Sequence, residues 1–119
     1  MRKLIALFSL AAVVAVPAAL AKERNVQMFG APVAPRVGQA FNATISVKID
    51  GKLQPGKAPT MRLISAAGRT ITIPSRATLK AGIYRARVVF PTAGTWRVIV
   101  VDRETGRAYE FGRMKVRAT

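Results

Sequence analysis

Apolar and polar side chains alternate one by one along residues 41–49. Phe, Ala, Ile, Val and Ile fall on one side of an extended chain, and Asn, Thr, Ser and Lys fall on the other. A period of two is that of a β-strand with one buried face. The segment therefore predicts a half-buried strand, which is typical of an antiparallel sheet.

The second half of the chain repeats this alternation. In residues 84–90, Tyr, Ala, Val and Phe fall on one face, and the two arginines fall on the other. Residues 96–101 are expected to form the next strand. Residues 102–106 then predict a hairpin loop. The apolar residues after this loop can face the core if a bulge at Gly112 shifts the register. These residues are Tyr109, Phe111, Met114 and Val116.

Shorter segments complete the strand count. Residues 26–29 indicate an early strand, and residues 61–65 fit either a strand or one helical turn. Residues 70–73 are rich in β-branched side chains and stop at Pro74, as expected of an edge strand. The sequence predicts about seven strands at a spacing of roughly 8–12 residues, the pattern of an all-β antiparallel sandwich.

Residues 1–21 have the three zones of a secretory signal peptide. Two basic residues precede an apolar run over residues 4–16, which is shorter than a membrane-spanning helix needs. Ala19 and Ala21 occupy the positions at which signal peptidase requires small side chains. We expect cleavage after Ala21, with Ala18 as the second choice and an uncleaved anchor as the alternative. The product is an exported protein, periplasmic or extracellular.

The sequence contains neither Cys nor His. This excludes disulfides, thiolate nucleophiles, His-based triads and most zinc sites. We expect residues 22–37 to carry the first strand, with residues 22–25 flexible. Residues 38–119 are expected to form the sandwich domain, which must hold together by packing alone because it has no disulfide.

The five acidic residues do not suggest catalysis. Asp50 and Asp102 fall in predicted turns, where Asp usually binds its own backbone. Asp102 and Glu104 lie among arginines, so they fit a salt-bridged turn better than an acid–base pair or a calcium site. We therefore predict that the chain is not an enzyme and has no cofactor.

Two short motifs stand out within the predicted strands. One is Gly82-x-Tyr84, and the other is Phe90-Pro91-x-x-Gly94-x-Trp96, which is followed by an apolar strand. The pattern resembles the exported bacterial immunoglobulin-like domains of the YtkA-like and FixH-like type. The resemblance implies an immunoglobulin-like antiparallel β-sandwich.

The resemblance also implies a structural role for several of these residues. Tyr84 belongs to the core, and Gly94, Trp96 and Val98 stand where an immunoglobulin corner has Gly, Tyr and the second disulfide Cys. Gly94 would supply the turn between sheets, and Trp96 would fill the space beneath it. Val98 would supply bulk in place of the missing disulfide.

Relatives of that fold include copper-handling domains of the CopC-like kind, whose ligands are His, Met and, in some of them, a free N-terminal amine. The resemblance therefore implies an alternative function as a metal-handling accessory domain. The exported chain keeps Met28, Met61 and Met114, and thioethers can bind Cu(I). Scattered Met residues on strands more often fill the core, so we predict no metal ligand.

The chain has 20 Lys and Arg against 5 Asp and Glu, a formal charge of +15 that falls to +13 when the two basic residues of the signal peptide leave. An exported basic surface attracts anionic lipid headgroups, phosphate-rich wall polymers and acidic polysaccharides. Arginine favours bidentate contacts with phosphate or carboxylate. The alternative is that these arginines only form a solvated surface that keeps the protein soluble. The candidate anion-binding residues are Arg85, Arg87, Arg97, Arg107, Arg113 and Arg117.

Specific nucleic-acid binding is not expected, because base stacking needs exposed aromatic rings. Five aromatic residues in the second half of the chain fall on the inward pattern: Tyr84, Phe90, Trp96, Tyr109 and Phe111. Membrane contact is expected only through the signal peptide or through surface electrostatics.

Ile99 and Val101 are apolar residues on the expected outward face of a central strand. Such residues need coverage by another strand, by the N-terminal segment or by a partner subunit, which makes them interface candidates. The alternative is a strand of which both faces are covered within the monomer. Taken together, the sequence predicts a non-catalytic, exported binding or accessory module of the cell envelope.

Overall fold

A computed structural model describes residues 23–118 of the protein. The predicted signal peptide, with its cleavage positions Ala19 and Ala21, lies outside the described residues. Within residues 23–118 all regular structure is β-strand, and no helix there is long and apolar enough to cross a membrane. The strands are β1 Arg24–Phe29, β2 Phe41–Ile49, β3 Lys52–Leu53, β4 Thr60–Ser65, β5 Thr70–Pro74, β6 Arg76–Ala77, β7 Ile83–Val88, β8 Gly94–Val101 and β9 Ala108–Val116.

The strands form two antiparallel sheets that pack into a sandwich. The first sheet has the order β1-β2-β7-β6, with β3 also paired to β2, and the second has the order β5-β4-β8-β9. This matches the immunoglobulin arrangement, in which strands A, B, E and D form one sheet and C, F and G the other, with β5 as an added edge. Seven strands are longer than two residues, which confirms the predicted number.

The N-terminal segment is an integral part of the sandwich. β1 pairs with β2 along its whole length, from Arg24 opposite Ile49 to Phe29 opposite Thr44. The expectation that residues 22–25 are flexible is wrong for Arg24 and Asn25, which are the first two residues of β1. Hydrogen bonding to the paired strand holds them in the first sheet.

After β1 the chain crosses to the second sheet before it returns to β2. A parallel bridge joins Arg36 to Arg117, just beyond the end of β9. The amide of Val37 donates to the carbonyl of Arg117 at 2.9 Å, and the amide of Arg117 donates to the carbonyl of Pro35 at 2.9 Å. These bonds join the segment between β1 and β2 to the second sheet, one residue beyond the end of β9.

The alternation in the sequence correctly predicts which residues face the core. In β2 and β7 every second residue packs between the sheets, and Arg85 and Arg87 point to solvent. Residues 60–65 are a strand rather than a helical turn, and β5 is an edge strand as expected. The core includes Ala43, Ile45, Met61, Leu63, Tyr84, Ala86, Val88, Phe90, Trp96, Val98, Val100 and Val116.

A bulge in β9 lies where the sequence predicted it. Arg97 is opposite Arg113, and Ile99 is opposite Glu110. Two residues of β9, Phe111 and Gly112, therefore lie opposite the single residue Val98 of β8. Gly112 has a φ of 96°, a conformation that favours glycine. The bulge turns the apolar side chains on both sides of it toward the core.

Candidate anion-binding site

Three arginines come together on the outer face of the first sheet. Arg85 and Arg87 are two residues apart on β7, so their side chains share that face. β6 then places Arg76 directly opposite Arg85. Sequence periodicity did not identify Arg76, because a two-residue strand is too short to show a period. We call Arg76, Arg85 and Arg87 the arginine cluster.

The arginine cluster lines an open cleft of about 650 Å³. The cleft lies beside the β5 edge of the second sheet, where the chain crosses from β5 to β6. Its other walls combine apolar side chains with one amide and one hydroxyl group. They are formed by Asn42, Ile73, Pro74, Ala77, Thr78 and Leu79.

No carboxylate neutralises the arginine cluster among residues 23–118. The two ion pairs in this part of the chain use Arg24 and Arg97 instead. The carboxylates of Asp50 and Glu104 accept backbone N–H groups elsewhere in the fold. Like charges directly opposite each other destabilise a sheet, and planar guanidinium groups bind carboxylate or phosphate in a bidentate way. The cluster is therefore suited to an external oxyanion.

Arg97 and Arg113 lie on the opposite side of the sandwich. They are paired across β8 and β9 on the outer face of the second sheet. Arg97 donates to Glu110 from Nε at 3.0 Å and from Nη2 at 2.8 Å. These hydrogen bonds and the attraction between the charges raise the pKa of Arg97, and the same hydrogen bonds lower the pKa of Glu110.

The predicted anion-binding arginines therefore do not form one surface. Arg85 and Arg97 follow each other closely in the sequence, but β7 and β8 belong to different sheets. Arg107 lies over the ring of Tyr109, with its guanidinium carbon 5.0 Å from the ring centroid. Arg117 lies beyond β9 at the bridge to the N-terminal segment.

The predicted corner has the hydrogen bond of an immunoglobulin tyrosine corner, made here by tryptophan. Trp96 is completely buried near the start of β8, and its Nε1 donates to the carbonyl of Thr92 at 3.0 Å. Gly94 begins the strand with a φ of 121°, and Val98 is buried two residues after Trp96. Tyr84 is also in the core, and its hydroxyl donates to the carbonyl of Gly56 at 3.3 Å.

The interface candidates are covered to different extents by this chain itself. Ile99 is only 7% exposed, and the residues next to it on the neighbouring strands are Arg62 and Glu110. Val101 is half-buried at the end of the same strand. Ile99 thus offers very little apolar surface to a second protein.

Asp102 has a structural partner that sequence reasoning did not identify. Its side chain is 3% exposed and pairs with Arg24, which lies 78 positions earlier in the chain. Its second oxygen accepts the amide of Glu104 at 2.9 Å. Asp102 therefore orders the β8–β9 hairpin and joins it to the first sheet.

The methionines considered as copper ligands contribute to the core. Met61 is 1% exposed, and Met28 and Met114 pack against the same hydrophobic cluster. In residues 23–118 no group of three or more His, Cys, Asp or Glu side chains is placed to bind a metal ion.

Comparison with known proteins bears on the fold. No protein-family model and no curated protein sequence matches this chain. A crystal structure of a DUF4785 family protein from Legionella pneumophila is similar, with a TM-score of 0.53 and 14% sequence identity. The match covers 80% of this chain and 28% of the Legionella protein. At this identity the similarity shows that the two share a fold, and nothing about function follows from it.

Proposed function

We propose that this chain is an exported, non-catalytic binding or accessory module of the cell envelope, and that it binds an anionic partner through the arginine cluster. The observation that carries the proposal is the placement of Arg76 opposite Arg85, with Arg87 beside them and no ion pair to any of the three in the described part of the chain. Two arginines placed opposite each other repel, and a bound anion would neutralise that repulsion. Binding of an anion therefore explains why the sheet carries this pair.

The position of β1 supports export. The strand begins at Arg24, three residues after Ala21. Cleavage after Ala21 would keep every described strand and the partly buried Arg24–Asp102 pair. The tryptophan corner likewise supports a relationship to the YtkA-like and FixH-like domains.

Two triple variants with equal loss of charge test this function. In one, Arg76, Arg85 and Arg87 are changed to Gln; in the other, exposed arginines outside the cleft are changed to Gln. The control positions are Arg62, Arg69 and Arg103. Binding of the purified protein to polyphosphate and to polygalacturonate is measured by titration at several salt concentrations.

The cluster variant is expected to lose about tenfold or more in affinity, since each charged hydrogen bond contributes roughly 1.5–3 kcal/mol. The control variant should stay within about threefold of the unmodified protein, because screened long-range attraction alone contributes little. Equal losses in the two variants would contradict a defined site and indicate attraction by net charge only.

A further inference from the structure

An exposed aromatic ring shares the outer face of the first sheet with the arginine cluster. Phe29 is 53% exposed at the end of β1, on the face that carries Arg85. Thr44 of β2 pairs with Phe29 on one side and with Arg85 on the other, and Arg85 pairs with Arg76. Directly opposed residues share a face, so these four side chains form one row across the sheet.

The row extends across four neighbouring strands. Adjacent strands lie about 4.8 Å apart, so the backbone positions of Phe29 and Arg76 are separated by about 14 Å. An apolar ring thus stands at one end, two cations stand at the other, and the hydroxyl of Thr44 lies between them. A ligand that touches both ends must be extended and must itself combine an apolar face with negative charge.

The residues around this row are polar and mostly exposed. Asn25 and Gln27 lie on the same face of β1, and Asn42 lies next to Arg87 across β2 and β7. Each amide side chain both donates and accepts hydrogen bonds, as sugar hydroxyl groups do. The face therefore offers donors and acceptors in addition to its positive charge.

We propose that this face binds an acidic polysaccharide, with sugar carboxylates on the arginine cluster and the C–H face of a sugar ring on Phe29. The negative face of an aromatic ring attracts such weakly positive hydrogens. Bidentate guanidinium contacts fix the carboxylates. The inference rests on the proposed anion-binding function and assigns the class of ligand at the same site.

Other ligands fit this face less well. A second copy of the chain would bring two arginine clusters together, and within residues 23–118 neither Arg76, Arg85 nor Arg87 has an ion-pair partner. A membrane surface would be matched by neighbouring apolar side chains, but exposed Leu79 lies beyond β6, at the opposite edge of the sheet from Phe29. Single-stranded nucleic acid is bound by successive aromatic rings, and this face presents one.

The test compares polygalacturonate oligomers with their fully methyl-esterified form, which keeps the sugar backbone and removes the charge. Vesicles of phosphatidylglycerol and a single-stranded DNA oligomer serve as alternative polyanions. The protein variants are Phe29→Ala, Phe29→Trp and Arg85→Gln, with Arg62→Gln on the other sheet as the charge-matched control. Circular dichroism confirms that each variant is folded.

The expected result is binding of the charged oligomer at least about tenfold tighter than the esterified one. Phe29→Ala and Arg85→Gln should each weaken it about fivefold to tenfold, whereas Phe29→Trp should retain it and Arg62→Gln should change it less than about twofold.

Two kinds of failure are distinguishable. If Arg85→Gln weakens binding and Phe29→Ala does not, or if vesicles or DNA bind more tightly than the oligomer, the polysaccharide assignment is overturned while the anion site stands. If Arg85→Gln and Arg62→Gln behave alike with every polyanion, both the assignment and the proposed function fail.

Discussion

Arg24 and Asp102 join the two sheets at one end of the sandwich. The Nε and Nη2 atoms of Arg24 lie 2.7 and 2.6 Å from the same carboxylate oxygen of Asp102. Arg24 begins β1 in the first sheet, and Asp102 directly follows β8 in the second. In a domain without disulfides, this partly buried pair links segments that are far apart in the sequence.

Replacement of Asp102 by Ala is expected to lower the free energy of unfolding by about 3 kcal/mol. The change leaves the partly buried Arg24 without its counter-ion and the amide of Glu104 without its acceptor. Urea denaturation measures the effect, and Arg103→Ala in the same hairpin should cost less than about 0.5 kcal/mol. A loss below about 1 kcal/mol for Asp102→Ala would show that the pair is not a stabilising link.

Trp96 should be the most sensitive single position of the core. Trp96→Ala is expected to cost about 3–5 kcal/mol, because it leaves a large cavity and removes the bond to Thr92. Trp96→Phe removes the hydrogen bond but keeps an aromatic ring, so it should cost less. Far-ultraviolet circular dichroism in urea compares the variants, since this Trp is also the chain's single indole fluorophore. Equal costs for both variants would argue against a contribution from ring packing.

Substitutions at two glycines with nearly the same backbone conformation distinguish the cost of backbone strain from the cost of a steric clash. Gly82 and Gly106 have φ values of 82° and 79°. A Cβ atom at Gly82 would lie 2.8 Å from the amide nitrogen of Gln54, whereas nothing lies within 4 Å of one at Gly106.

Gly106→Ala should therefore cost about 1–2 kcal/mol from backbone strain alone. Gly82→Ala should cost clearly more, because the segment that contains Gln54 must also move. Melting temperatures give the comparison, and similar losses at the two positions would contradict the close approach.

Because of the Arg97–Glu110 pair, we expect the stability of the folded protein to depend on pH in a known direction. Hydrogen bonds from Arg97 lower the pKa of Glu110 in the folded protein. The stabilisation is thus present above the ordinary pKa of a glutamate and is lost as the pH falls through the lowered value. NMR titration of Arg97→Gln should show the pKa of Glu110 rising toward its ordinary value. Arg87→Gln, on the other sheet, should leave that pKa unchanged, and a similar shift in both variants would rule out a local cause.

The arginine cluster should reduce stability when no anion is bound. Arg76→Gln removes the repulsion with Arg85 and is expected to raise the free energy of unfolding by about 0.5 kcal/mol at low salt. Salt screens this repulsion, so the difference should vanish near 1 M NaCl. Urea titrations at both salt concentrations check this, and destabilisation by Arg76→Gln at low salt would show that the arginine is held by contacts within the protein.

The local pattern of the sequence predicted much of the fold. Alternation identified the buried faces of β2 and β7, and the break in alternation near Gly112 located the bulge in β9. These properties depend on neighbouring residues, because successive side chains of a strand point to opposite faces. The outward direction of Arg85 and Arg87 was predicted for the same reason.

The composition of the candidate site depended on which strands pair. Arg97 was grouped with Arg85 and Arg87 because β8 follows β7 in the chain, yet the two strands lie in different sheets. Arg76 joined the site through a two-residue strand, and Phe29 joined its face from the other edge of the sheet. Such neighbours are set by hydrogen bonding between distant segments, which no local period encodes.

By itself, then, the sequence determined that the chain forms an antiparallel sandwich of strands with arginines on its outer surfaces and no cysteine to link them. Only the tertiary structure decided that Arg76 faces Arg85, that Phe29 shares their row and that Asp102 is neutralised by Arg24. The physical reason is that alternation assigns each side chain to a face, whereas the register between strands decides which side chains meet on it.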